Sequence, residues 1–151
     1  MKKTLTYTAA IAAPRAVVWE TMLGAETYRE WTSPFCEGSH YEGSWDQGSK
    51  MCFLTPSGDG MVAEIAVNRP LEYVSIRHLG EIKDGVEDTT SEQVRAWAPA
   101  YENYSLVETK DGTVVTVELE TLAEYEQYLS ETYPKALGIL RELCEAGQKP
   151  G

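Results

Sequence analysis

The chain has 151 residues, 42% hydrophobic and 25% charged, which suits one globular domain with a single sizeable core. Acidic residues number 24 against 13 basic ones, a formal net charge of −11. A phosphate backbone needs clustered Lys and Arg, and an anionic membrane surface repels such a chain, so neither nucleic acid nor membrane is expected as a partner.

The first residues read as a strand. Leu5, Tyr7, Ala9 and Ile11 alternate with Thr4, Thr6 and Thr8 over residues 3–12. The threonines interrupt the apolar run, so the segment is not expected to be a secretory leader. No apolar run approaches the ~20 residues needed to span a bilayer. Ala13-Pro14 then opens a helix with proline at its first position, Val17, Val18, Met22 and Leu23 form its apolar stripe, and Gly24 ends it. A second short helix over 25–31 carries Tyr28 and Trp31 and stops before Pro34.

A meander follows, with strands predicted at 35–43, 49–55, 60–68, 72–80, 101–109 and 113–121. Turn chemistry punctuates it at Gly43-Ser44-Trp45-Asp46-Gln47-Gly48, Pro56-Ser57-Gly58-Asp59-Gly60, Asn68-Arg69-Pro70 and Lys110-Asp111-Gly112. The connection 81–100 is long and reads as a flap. Thr90-Ser91-Glu92-Gln93 has the form of a capping box, so a short helix is expected to run toward Trp97, the anchor of that flap. The last element is one long amphipathic helix over 123–146. Leu122, Tyr125, Leu129, Tyr133, Ala136, Leu137, Leu140 and Leu143 lie on one face, and Pro134 within it implies a bend.

The order of these patterns carries a family resemblance. Ala13-Pro14-x-x-x-Val18-Trp19, Tyr28-x-x-Trp31, Gly43 to Ser49, Ser75 to Gly80, Glu102-Asn103-Tyr104 and Tyr133 to Leu137 occur at spacings similar to the SRPBCC, or START-like, superfamily. The local pattern most resembles the branch named after the activator of heat-shock protein 90 ATPase. The resemblance spans nearly the whole chain. It implies an α+β helix-grip fold in a single domain, with a curved antiparallel sheet of about seven strands wrapped on the C-terminal helix and a cavity between them. It also implies a wide range of roles, from lipid carriers and hormone receptors to polyketide cyclases, and fold alone does not choose among them.

Period-2 alternation places Val74, Ile76 and His78 on one face of their strand, Glu102, Tyr104 and Leu106 on one face of theirs, and Val115, Val117 and Leu119 likewise. These faces are expected to look toward the long helix. His78, Glu102 and Tyr104 then become polar groups within an apolar interior, and Trp31, Phe35, Tyr125 and Tyr128 complete a predicted ligand-binding set. A small apolar, aromatic or lipid-like molecule is the expected partner. Two readings from other classes stand beside it. One is a protein-interaction module acting on a chaperone or regulatory partner through the acidic C-terminal half, where residues 81–151 hold 15 acids against 6 bases. The other is a cyclase- or hydrolase-like enzyme using His78.

No residue is assigned a catalytic role, because no Gly-x-Ser-x-Gly elbow and no nucleophile adjoining His78 occurs. No cofactor is expected. Gly43 to Lys50 mimics a phosphate loop, but its order is Gly-Ser-Lys and a strand follows. Cys36 and His40 are too extended along a strand for a two-ligand chelate, and the acidic run Asp84, Glu87, Asp88 lacks calcium-loop spacing, so no metal is expected. Three cysteines, Cys36, Cys52 and Cys144, without Cys-x-x-Cys spacing argue against a disulfide framework and for a reducing, cytoplasmic setting.

Overall fold

The computed structural model describes residues 2–146. Strand β1 (Lys2–Ile11) leads into helices α1 (Arg15–Leu23) and α2 (Ala25–Trp31). Strands β2 (His40–Gly43), β3 (Lys50–Leu54), β4 (Gly60–Arg69), β5 (Tyr73–Lys83) and β6 (Val86–Asp88) follow. A one-turn helix α3 (Glu92–Arg95), strands β7 (Ala100–Thr109) and β8 (Gly112–Leu122), a 3-10 turn at Ala123–Tyr125 and helix α4 (Glu126–Ala146) complete the fold. The sheet runs in the order β1-β8-β7-β5-β4-β3-β2, with β6 paired to β5 off that path, and its pairings are antiparallel. With α4 across one face and two short helices after β1, this is a helix-grip fold.

Two bulges bend the sheet. β5 carries an extra residue, Leu79, opposite the Val62–Ala63 step of β4, and β4 carries an extra residue, Ala66, opposite Ser75–Ile76 of β5. Such insertions bend a strand and increase its twist, which lets the sheet curve around a helix. The concave face holds Leu5 and Ile11 of β1, Val74 and Ile76 of β5, Tyr104 and Leu106 of β7, and Val115, Val117 and Leu119 of β8, all buried. The alternation read from the sequence therefore points inward where it was expected to.

The core is concentrated at one end of α4. Ala136, Leu137, Leu140 and Cys144 are buried there, against the cluster that includes Val18 and Met22 of α1. Thr113 Oγ1 donates to the Ala13 carbonyl at 2.8 Å and the Ala12 N–H donates to Glu145 Oε2 at 2.9 Å, tying the β1–α1 corner to β8 and to the last turn of α4. Pro134 lies inside the helix on its exposed side. A proline at this position removes the N–H that would bond the Ser130 carbonyl.

Four local expectations change. Pro14 is the N-cap of α1 in extended conformation, not its first helical residue. The strand expected over 35–43 shrinks to β2, because residues 32–39 form turns: Phe35 N–H bonds Thr32 O at 2.9 Å, Ser39 N–H bonds Cys36 O at 3.0 Å, and Gly38 takes φ +84°, which glycine adopts without strain. The segment 81–100 begins as β5, which continues to Lys83 and turns through Asp84-Gly85 into β6. Both turn residues have positive φ, the geometry that Asp-Gly favours in a two-residue hairpin. This extra strand raises the count from about seven to eight.

Fourth, Ser91 rather than Thr90 caps α3, its hydroxyl accepting from Val94 N–H at 3.2 Å, and Val94 rather than Trp97 is the buried anchor. Val94 has 0% exposure, whereas Trp97 is half-buried. Val94→Ala is accordingly expected to lower unfolding free energy by about 1–3 kcal/mol, and Trp97→Ala by less than the ~3 kcal/mol of a fully buried tryptophan. Urea denaturation of the two variants checks the order; a larger loss for Trp97→Ala would restore it as the anchor.

Candidate functional site

At the other end of α4 the helix and sheet do not close on each other. They enclose a cavity of about 640 Å3. All seven residues predicted from the sequence line it: Trp31 of α2, Phe35 of the following loop, His78 of β5, Glu102 and Tyr104 of β7, Tyr125 of the 3-10 turn and Tyr128 in the first turn of α4. The first half of α4 also contributes Leu129 and Tyr133, and among the described residues none beyond Tyr133 lines the cavity. The helix thus divides near Pro134 into a half that roofs a cavity and a half that packs a core.

The aromatic wall has defined geometry. Trp31 packs edge-on to Tyr28 at 5.7 Å and to Tyr104 at 6.1 Å, and its indole N–H donates to Met22 O at 3.1 Å. Phe35 meets Tyr133 edge-on at 5.0 Å and Tyr128 at 6.4 Å. Tyr128 and Tyr125 are 48% and 51% exposed and stand at the mouth. The Tyr128 hydroxyl donates to Phe35 O at 3.2 Å, joining α4 to the loop after α2 across that mouth. The turn that replaced the expected strand is what brings Phe35 here.

The polar groups form one connected network. His78 Nε2 lies 2.9 Å from Glu102 Oε1, and the Tyr133 hydroxyl donates to Glu102 Oε2 in a short hydrogen bond. Phe53 covers the imidazole edge-on at 5.5 Å. His78 is 8% exposed, and its Nδ1 has no partner among the described residues. Burial pulls the Glu102 carboxyl upward, but the hydrogen bond from His78, the charge of that imidazole when protonated and the Tyr133 hydroxyl together outweigh it. The carboxyl is held below the ordinary glutamate range and stays ionised. Tyr104 and Tyr133 are pushed well above the ordinary tyrosine range by burial and then by the Glu102 charge, and Tyr28 is raised for the same reasons. All three remain neutral phenols.

Tyr133, Tyr28, Asp59, Glu81 and Glu120 are among the lining residues outside the predicted set. Tyr133 was legible as part of the helix stripe at the i, i+4 spacing of Tyr125, Leu129 and Leu137. Its hydroxyl among aliphatic neighbours was the available signal, since a buried phenol requires a partner. Trp45, in the turn before β3, packs edge-on to Tyr41 at 5.3 Å and donates to Leu23 O at 3.1 Å, apart from the cavity. Among the described residues, no helix is long and apolar enough to cross a membrane, and no group of three His, Cys, Asp or Glu side chains is placed to hold a metal.

Known structures resemble this one in fold. A protein from Mesorhizobium loti superposes with a TM-score of 0.73 at 13% identity, over 95% of this chain and 98% of that one. DynU16, a protein of the dynemicin biosynthetic locus, gives 0.71 at 16% identity, over 95% of this chain and 48% of DynU16. Protein CV1439 from Chromobacterium violaceum gives 0.67 at 17% identity, over 94% and 97%. No protein-family model and no curated protein matches the chain. At these identities the likeness is one of architecture, a bent antiparallel sheet gripping a C-terminal helix.

Because the Glu102 carboxyl is depressed in the folded state, its contribution to stability is full above the ordinary carboxylate range near 4.5 and is lost as pH falls through the lower folded value. Glu102→Gln is expected to be less stable than wild type by about 1.5–3 kcal/mol at pH 7, the worth of hydrogen bonds to a charged group. The gap should narrow steadily below pH 4.5. Urea denaturation of both proteins at pH 7 and pH 3 checks this; a gap independent of pH would mean that the carboxylate charge contributes nothing.

Proposed function

We propose that this chain is a binding domain for a small, largely apolar molecule held between the sheet and the first half of α4. One observation carries the reading: a cavity of about 640 Å3, walled by aromatic rings, with one buried hydrogen-bonding network at its inner wall. Cavities of 300–1,000 Å3 with mostly apolar walls and a few placed polar groups are the usual form of small-molecule sites. A domain whose task was packing alone would gain from filling that space, since unfilled apolar volume costs stability. The fold likeness and the motif resemblance to the SRPBCC superfamily support the same reading, because cavities recur at this place in the helix grip. The branch similar to the activator of heat-shock protein 90 ATPase is the assignment that the motifs favour. His78 serves here as an orienting group: Glu102 fixes its Nε2, and its ring forms part of the wall.

Native mass spectrometry of protein purified from its own host tests this. A mass excess of a few hundred daltons that vanishes under denaturing spray is the expected result. Leu119→Trp, which places a large ring into the cavity from β8, should fold and lose that excess. An excess that persists in the filled variant would place the ligand elsewhere.

A further inference from the structure

The cavity wall is unevenly charged. Four acidic residues are among the described ones that line it, Asp59, Glu81, Glu102 and Glu120, against one lysine, Lys83; Glu120, which alternates with inward Leu119, also borders the outer groove beside Tyr101. The four acids are half-buried, whereas Lys83 is exposed. Two of them are fixed by neutral backbone donors, Asp59 Oδ1 by the Asp84 N–H and Glu120 Oε1 by the Tyr101 N–H, both at 3.0 Å. Those bonds position the carboxylates without neutralising them.

Glu102 is the central case. Its two partners occupy one acceptor site on each oxygen, and a carboxylate offers about four. Its side chain keeps 20% of its surface accessible, and the residue lines the cavity. His78 contributes one hydrogen bond through Nε2, and its Nδ1 has no partner among the described residues. The carboxylate therefore presents unsatisfied acceptor capacity to the cavity. Trp31, Phe35, Phe53 and Tyr104 line the same cavity, and aromatic faces attract cations most strongly where water is excluded.

Resting on the ligand-binding reading above, we infer that the cavity selects a cationic ligand, an amine on an aromatic or alicyclic skeleton with its ammonium directed at Glu102. Fatty acids and other anionic lipids are excluded by the same field, since like charges repel most where the dielectric is low. A neutral molecule of the same shape binds between the two.

A matched series tests this: pyrenemethylamine, pyrenemethanol and pyrenecarboxylic acid, which share one fluorescent skeleton and differ in charge at neutral pH. Fluorescence anisotropy with wild-type protein should rank amine over alcohol by roughly tenfold or more, and alcohol over acid by a similar factor. Glu102→Gln should erase the amine advantage, read as the ratio of amine to alcohol affinity in the folded variant. Glu81→Gln, elsewhere on the wall, should reduce that advantage about two- to threefold, and it serves where Glu102→Gln does not fold. Equal affinity for amine and alcohol, or preference for the acid, would overturn the inference while leaving a binding cavity in place. An amine preference unchanged in the folded variants would overturn it too. No binding of any of the three would overturn both the inference and the ligand-binding reading.

Discussion

The structure depends on one half-buried carboxylate. Glu102 joins β5 to β7 through His78 and joins the sheet to α4 through Tyr133. A carboxylate inside a domain is costly unless charge-assisted hydrogen bonds compensate its lost hydration, and two such bonds meet it here. Replacing the cluster with apolar side chains of equal volume would fill the space with less risk to stability. What the network adds is definition. It sets the height of the helix above the sheet at the point where packing stops, so the cavity has a fixed depth and is not left to collapse.

The division of α4 follows from the same point. After Tyr133 the helix packs small and branched residues, Ala136, Leu137 and Leu140, closely against the sheet and α1. Before it the inward residues are longer and the sheet bends away, helped by the two bulges between β4 and β5. Tyr7 stacks on Tyr133 at 5.3 Å, and its hydroxyl shares a hydrogen bond with Ser130, so the boundary is braced from β1 as well. Helix, bulges and edge strand thus agree on where the interior is full and where it is open.

Much of this was legible in the sequence, for identifiable reasons. Alternation in β1, β7 and β8 is regular, so their faces were read correctly, and Glu102 with Tyr104 followed. The span of α2 followed from Gly24 and Pro34 bracketing it. The pocket set followed because its members sit on regular elements or near their ends. The hairpin of β5 and β6 was missed although Asp84-Gly85 has the same turn chemistry as Asp111-Gly112. The strand after it has only three residues, too short to show a period. The turns after α2 were missed because Phe35 and Tyr41 are good strand formers, and tertiary contacts override such propensities. The partnership of Tyr133 with Glu102 was not legible, since it joins a helix stripe to a strand face across 31 residues and depends on the distance at which the helix settles.

The pairing of β1 with β8 has a consequence for how the protein reaches this state. Lys2 faces Leu122 and Ile11 faces Thr113, so the described neighbour of the first strand lies more than a hundred residues further along the chain. Closing so large a loop costs entropy before any ladder bond offsets it, and topologies of this kind fold on the slow, millisecond-to-second side of the range for single domains. Until that ladder forms, Tyr7 is not in place to brace Tyr133, and the network that holds the helix off the sheet is incomplete. The cavity is thus assembled late: an intermediate containing only the central meander would have a curved sheet and no interior to offer.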